Sequence, residues 1–218
     1  SSISGTSITA PYQGTGSGNV SLGGDVNSTS IQSQGLKGTA SISWSTVSYT
    51  ASAGQLGSDS FVVRSNGACG DATATVTVSI TPPAAPTVSS ASITTPYNTA
   101  GNATITVGGY SNSLAVASQP AHGIATILGN VATFTPYSGY VGGDSFTITA
   151  TGPGGTSVPA TVSVTVQPAA APTIANAVIS TGYQQAGSVV LVATNHDSIA
   201  VSGQGAKGSA AVVGNVAT

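Results

Sequence analysis

Asp59 and Asp144 are the residues most open to a chemical reading. Each opens the phrase Asp-Ser-Phe, and they stand 85 residues apart. A lone carboxylate in a loop can help hold calcium. That ion takes six to eight oxygens, usually from several carboxylates, and no second acidic residue is adjacent to either Asp. The expected role is therefore an Asx-type turn, with the carboxylate accepting nearby backbone N–H groups. Asp71, in Asn66-Gly-Ala-Cys-Gly-Asp71, is a third calcium candidate if a loop brings it beside Asp59. Calcium is thus possible but not favoured, and no cofactor is expected.

Nucleophilic catalysis needs a nucleophile, a base and an orienting acid in one cleft. Serine is so abundant here that its presence carries no information. The histidines are His122 and His196, the latter followed by Asp197. His122 stands where Lys37 and Lys207 stand, just before the aligned glycines 38, 123 and 208. A position that accepts Lys or His reads as an exposed turn, which also argues against a Lys–Asn isopeptide cross-link. No catalytic residue is assigned, and an enzyme within these residues is not expected. Cys69 is the single cysteine and has no Lys, Arg or His beside it in sequence to lower its pKa. It reads as a free surface thiol open to pairing with another chain. Trp44, with Tyr137 and Tyr140, is a candidate sugar-stacking or intermolecular contact, although single aromatics more often serve a core or a strand pair. Asn19, Asn27 and Asn102 open formal glycosylation acceptor triplets.

These residues are carried on a repeat. Gln55-Leu-Gly-Ser-Asp-Ser-Phe61 followed by Ala74-Thr-Val-Thr-Val-Ser-Ile80 recurs as Tyr140-Val-Gly-Gly-Asp-Ser-Phe146 followed by Ala160-Thr-Val-Ser-Val-Thr-Val166. Tyr12, Tyr97 and Tyr183 correspond, as do Ile8, Ile93 and Ile179, and Gly129-Asn-Val-Ala-Thr133 returns as Gly214-Asn-Val-Ala-Thr218. Such self-similarity is the mark of a repeat array. The expected units are 1–82, 83–168 and 169–218. The last holds only the N-terminal half of a repeat, and truncation of a longer chain is a simpler reading than completion by another chain.

Within each unit, apolar and hydroxyl residues alternate with a period of two, the pattern of half-buried strands. Repeat two predicts about seven strands, near 88–94, 103–107, 114–117, 124–128, 131–135, 145–150 and 160–166. Gly, Asn and Pro turns separate them. About seven short strands per repeat predict an all-β protein of tandem immunoglobulin-like sandwiches. Their cores should rest on Val, Ile, the pair Phe61/Phe146 and the pair Tyr49/Phe134. The connections Thr81-Pro-Pro-Ala-Ala-Pro-Thr87 and Gln167-Pro-Ala-Ala-Ala-Pro-Thr173 carry proline at both ends. They favour extended backbone, hence a rod of domains lying end to end.

Composition narrows the partners. Charged residues make up 4% of 218, with three Lys and Arg in all and a net charge of −2. Nucleic acid is excluded as a partner because that few cations cannot neutralise a phosphate backbone. No apolar run approaches the length of a membrane span.

The phrase running from Gly123-Ile-Ala-Thr-Ile through Ala132-Thr-Phe-Thr-Pro136 and Gly139-Tyr-Val-Gly-Gly-Asp-Ser-Phe146 to Pro159-Ala-Thr-Val-Ser-Val-Thr-Val166 resembles the tandem bacterial Ig-like, cadherin-like repeats of large secreted and surface adhesin-type proteins. The resemblance implies an extracellular, non-enzymatic rod that acts as a stalk or a filament building block. Its partners would be neighbouring copies of the same repeat or chain. An adhesin module for a glycan or surface receptor, as in cell adhesion and biofilm formation, is the alternative. A second alternative is a set of linker modules in a secreted hydrolase. The chain departs from calcium-stiffened members of such families, since it has no Glu and its five Asp are scattered singly.

Overall fold

The computed structural model describes residues 1–218 and is built of strands, turns and loops, with no helix. Repeat one supplies β1 (Ser2–Ser4), β2 (Ser7–Pro11), β3 (Thr15–Asn19), β4 (Ser21–Gly23), β5 (Ser28–Ser33), β6 (Gly38–Ser43), β7 (Thr46–Ala51), β8 (Gly57–Asn66) and β9 (Ala72–Thr81). One sheet has the order β2-β9-β8-β5 and the other β3-β7-β6, with β1 paired to β4 beside them. The first sheet mixes directions: β2 runs parallel to β9, while β8 is antiparallel to both β9 and β5.

Repeat two has the same plan. Its strands are β10 (Thr87–Val88), β11 (Ala91–Thr95), β12 (Gly101–Thr104), β13 (Val107–Gly108), β14 (Ser113–Ser118), β15 (Gly123–Leu128), β16 (Val131–Pro136), β17 (Gly142–Gly152), β18 (Gly155–Thr156) and β19 (Ala160–Val166). The order β11-β19-β17-β14 faces β12-β16-β15, with β11 parallel to β19. The strand predicted at 88–94 is two strands. Thr87 and Val88 pair with β13, and the chain then crosses to the other sheet, where β11 pairs with β19. The strand predicted at 103–107 divides for the same reason, because β12 pairs with β16 and β13 with β10.

The alternation in sequence becomes alternation in burial. In β19 the even-numbered residues Ala160, Val162, Val164 and Val166 are buried and the hydroxyl residues between them are exposed. Each sandwich has its own core. Tyr49, Phe61, Val63 and Val76 lie at the centre of the first, and Phe134, Phe146, Ile148 and Val162 at the centre of the second. Tyr49 and Phe61 stack with centroids 5.9 Å apart. Full burial of one apolar side chain, Val and Ile included, is worth about 1.5–3 kcal/mol, so the aromatic rings and the Val and Ile residues around them share the cohesion of each core.

Repeat three retains a three-stranded sheet and a two-stranded pair. Its strands are β20 (Thr173–Ile174), β21 (Val189–Val190), β22 (Ala193–Thr194), β23 (Val212–Val213) and β24 (Val216–Ala217). The order β21-β24-β23 reproduces β12-β16-β15, and β20 pairs with β22 as β10 pairs with β13. No strand forms around Ile179, the counterpart of Ile93, and no residue beyond Val166 is buried. In repeat two that strand exists by pairing in parallel with β19. Repeat three has no counterpart of β17 or β19 for it to join.

Candidate functional sites: loop staples and the joint between repeats

The backbone leaves each sandwich with loops at two ends. At the downstream end of repeat one lie the turn after β2, the loop from β5 to β6, and the loop from β7 to β8. Asp59, near the start of β8, reaches across to the β5–β6 loop and accepts the N–H groups of Leu36 at 3.1 Å and Lys37 at 2.8 Å. The Tyr49 hydroxyl also donates to it. Burial alone would raise the Asp59 pKa, but the Tyr49 hydroxyl and the N–H groups of Lys37, Ser60 and Leu36 outweigh it, and the carboxyl stays below the ordinary carboxylate value. Burial, together with this same carboxylate, drives the Tyr49 phenol upward.

Asp144 does the same work in repeat two. It accepts N–H groups from Ala121 at 3.2 Å, His122 at 2.7 Å and Ser145 at 2.8 Å. Burial again pushes its pKa up, and these donors with the His122 ring pull it below the ordinary value. The His122 ring stacks on Tyr140 at 4.2 Å, with its Nδ1 3.7 Å from the Asp144 carboxylate. Both aspartates act mainly across the sandwich, stapling a loop 22 or 23 residues earlier, and not chiefly within their own turn.

Asp71 does not join Asp59. It follows the far end of β8, roughly 20 Å away at the rise of an extended strand, and pairs there with Arg64. No group of three or more His, Cys, Asp or Glu side chains comes together. Cys69 is exposed in the β8–β9 loop. The ammonium of Lys37 donates to the Leu56 carbonyl at 2.7 Å. Trp44 stands in the two-residue turn between β6 and β7, exposed and with a φ of 55°.

A second staple was invisible to reasoning about charged and aromatic residues. The side-chain amide of Gln34 donates to the Ala40 carbonyl at 2.9 Å and accepts the Ala40 N–H at 2.6 Å. Gln119 does this to Ala125 at 3.1 and 2.9 Å, and Gln204 to Ala210 at 2.9 and 2.5 Å. The amide stands in for a neighbouring strand along the open edge of β6 and its counterparts. It satisfies backbone groups that would otherwise be free to pair with another chain. The available signal was the recurrence of Gln at 34, 119 and 204, at intervals of 85.

Repeats one and two meet through two contacts. Tyr12, in the turn after β2, packs edge-on against Tyr110, in the loop after β13, with centroids 5.0 Å apart and planes at 82°. Beside them the linker passes against the β17–β18 turn, where a Cβ on Gly154 would collide with the carbonyl oxygens of Pro83 and Ala84. Glycine there lets linker and turn touch backbone to backbone.

The family model of a bacterial Ig domain matches residues 82–165. Repeat two thus matches the bacterial Ig domain family along its length. Repeat one shares its strand order, its parallel first strand and its core positions, and is an Ig-like sandwich of the same plan. Among solved structures, the chain is similar to the titin domains Z1Z2 in complex with telethonin. Identity is 15%, 77% of this chain and 94% of that one are covered, and the TM-score is 0.42. Protocadherin gamma B2 extracellular cadherin domains 3–6 match at 15% identity over 74% of this chain and 49% of that one, with a TM-score of 0.35. An endo-fucoidan hydrolase of glycoside hydrolase family 107 matches at 14% identity over 78% of this chain but 29% of that one, with a TM-score of 0.33. No curated protein sequence matches the chain. No helix is long and apolar enough to cross a membrane.

Proposed function

We propose that these residues are a non-catalytic spacer region of a large extracellular bacterial protein, a building block of a stalk or surface filament. The observation that carries this reading is the joint. Its linker is closed by proline at both ends, laid against a glycine turn and locked by Tyr12 on Tyr110. Tyr97 and Tyr183 hold the register of Tyr12, while repeat three has no tyrosine in that of Tyr110. Joints of this kind between successive sandwiches would align them end to end, so reach would follow copy number. The low charge supports close approach of neighbouring copies, since little electrostatic repulsion opposes it.

Small-angle scattering of the full chain tests the extended shape. A compact 218-residue protein has a radius of gyration of about 17 Å. Sandwiches in line should give a value above about 25 Å, and one near the compact figure would refute the rod. Electron microscopy of native assemblies separates the two forms of the proposal. Separate thin rods mean a stalk, and thick regular fibres mean a filament. A linker role in a secreted hydrolase would instead require a catalytic domain elsewhere in the parent protein.

A further inference from the structure

The upstream end of repeat one carries the loops that, in repeat two, receive the linker and Tyr12. Two positions that make that joint, and one turn at the same end, are occupied differently. Asp25 stands in the register of Tyr110, Trp44 in that of Gly129, and Cys69 in that of Gly154. The aromatic is therefore gone from the first loop, and a side chain stands where the linker carbonyls would press against glycine. This end of repeat one is not built as a joint of the kind seen downstream.

What it offers instead is Trp44. Its φ of 55° lies in the left-handed region, where Gly129 and Gly214 hold the same turn at 58° and 60°. A bulky residue there is strained, and glycine would remove the strain. Burial does not compensate, because Trp44 is 56% exposed. The turn is nonetheless held firmly. Thr29 Oγ1 donates to the Trp44 carbonyl at 2.8 Å, and Thr46 Oγ1 donates to Asn19 Oδ1 at 3.0 Å. Strain kept at an exposed, well-anchored position is a mark of ligand contact.

We propose that this tip binds a neutral polysaccharide, with one hexopyranose ring stacked on the Trp44 indole. The C–H face of a pyranose is flat and apolar and suits an indole, while its hydroxyl rim needs uncharged donors and acceptors. Ser43, Ser45 and Thr46 supply hydroxyls around the turn, and Asn19 an amide. Apart from Asp25, the charged side chains at this end are Arg64 and Asp71, which pair with each other. The Ser1 ammonium, also at this end, donates to the Gly70 carbonyl at 3.4 Å, so both cations there already have a partner for an anionic polymer to compete with.

Trp44 is the only tryptophan of the chain, so its fluorescence reports on the site alone. The test titrates the full chain with soluble dextran, mannan and galactan, and runs it through native gels containing each polymer. At least one polymer should shift the emission saturably, with half-saturation at about 1 mM in sugar units, and retard the chain in its gel. Trp44→Gly should abolish the retardation while raising the melting temperature by about 2–4 °C. Absence of any shift or retardation with all three polymers would overturn the proposal. So would a Trp44→Gly variant that is still retarded or that melts lower, since the ring would then be structural. An emission change that follows protein concentration without sugar would assign the tip to a second copy of the chain and overturn it equally. The proposal does not depend on the rod: scattering reads the shape, and fluorescence reads this tip.

Discussion

Tyr49→Phe isolates one hydroxyl. The ring is fully buried, so its packing on Phe61 is retained, and repeat two already holds Phe134 at the corresponding position. What is lost is the phenol that donates to Asp59, leaving the carboxylate with its backbone N–H donors. A hydrogen bond to a charged group contributes about 1.5–3 kcal/mol, so repeat one should lose about that much stability near neutral pH. The pH dependence follows from the direction of the shift. Asp59 titrates below its ordinary value of 3.8 in the folded state. Its contribution is therefore present above that value and lost as pH falls through the lower folded pKa. The penalty of the substitution should be full at about pH 6–7 and shrink toward about pH 2–3. Urea denaturation followed by circular dichroism at both ends of that range measures it. Equal stability of variant and parent at neutral pH would refute the reasoning. So would a penalty of the same size at both pH values, which would place the effect in packing.

Asp144→Asn should cost repeat two about 1.5–3 kcal/mol with the same sense of pH dependence, and should speed proteolytic cleavage in the loop at Ala121 and His122 that it staples. Gln119→Ala should cost about 1–3 kcal/mol, because the N–H and carbonyl of Ala125 lose their partner together; calorimetry reads it. Tyr110→Ala should leave the core of each sandwich intact but loosen the joint, which scattering would show as a broader distribution of interdomain distances. Removing calcium with a chelator should shift the melting temperature by less than about 1 °C, since no set of carboxylates converges; a clear drop would return Asp59 and Asp144 to the list of ligands.

The sheets were legible because period-two alternation states directly which side chains face the core, as Val162, Val164 and Val166 do. The places where strands break were not. The split at Ser89 and Ser90 depends on which sheet each half joins, and nothing in the local sequence Val-Ser-Ser-Ala says so. The aspartates were visible as recurring residues, yet their partners lie more than 20 residues earlier, across the sandwich. A local rule for Asx turns could not find them. The separation of Asp71 from Asp59 needed only the length of β8, which the boundaries drawn from sequence left open.

The three repeats vary their staples unevenly, and the variation has a physical order. The position before the aligned glycine changes freely among Lys37, His122 and Lys207, because the group bound there is the backbone N–H, which Lys37 and His122 both present to an aspartate. The core ring changes between Tyr49 and Phe134, since one hydroxyl is an added donor to a carboxylate already held by backbone groups. The glutamine does not change. Only a primary amide of that length can donate and accept at once toward a single residue of an edge strand, and a carboxylate or an ammonium can do one but not both. In an array with few charges to guard its sheet edges, that amide occupies the edge strand at one residue, Ala40, Ala125 or Ala210. A second chain pairing along that strand would first have to displace the amide from Ala40 or its counterparts Ala125 and Ala210.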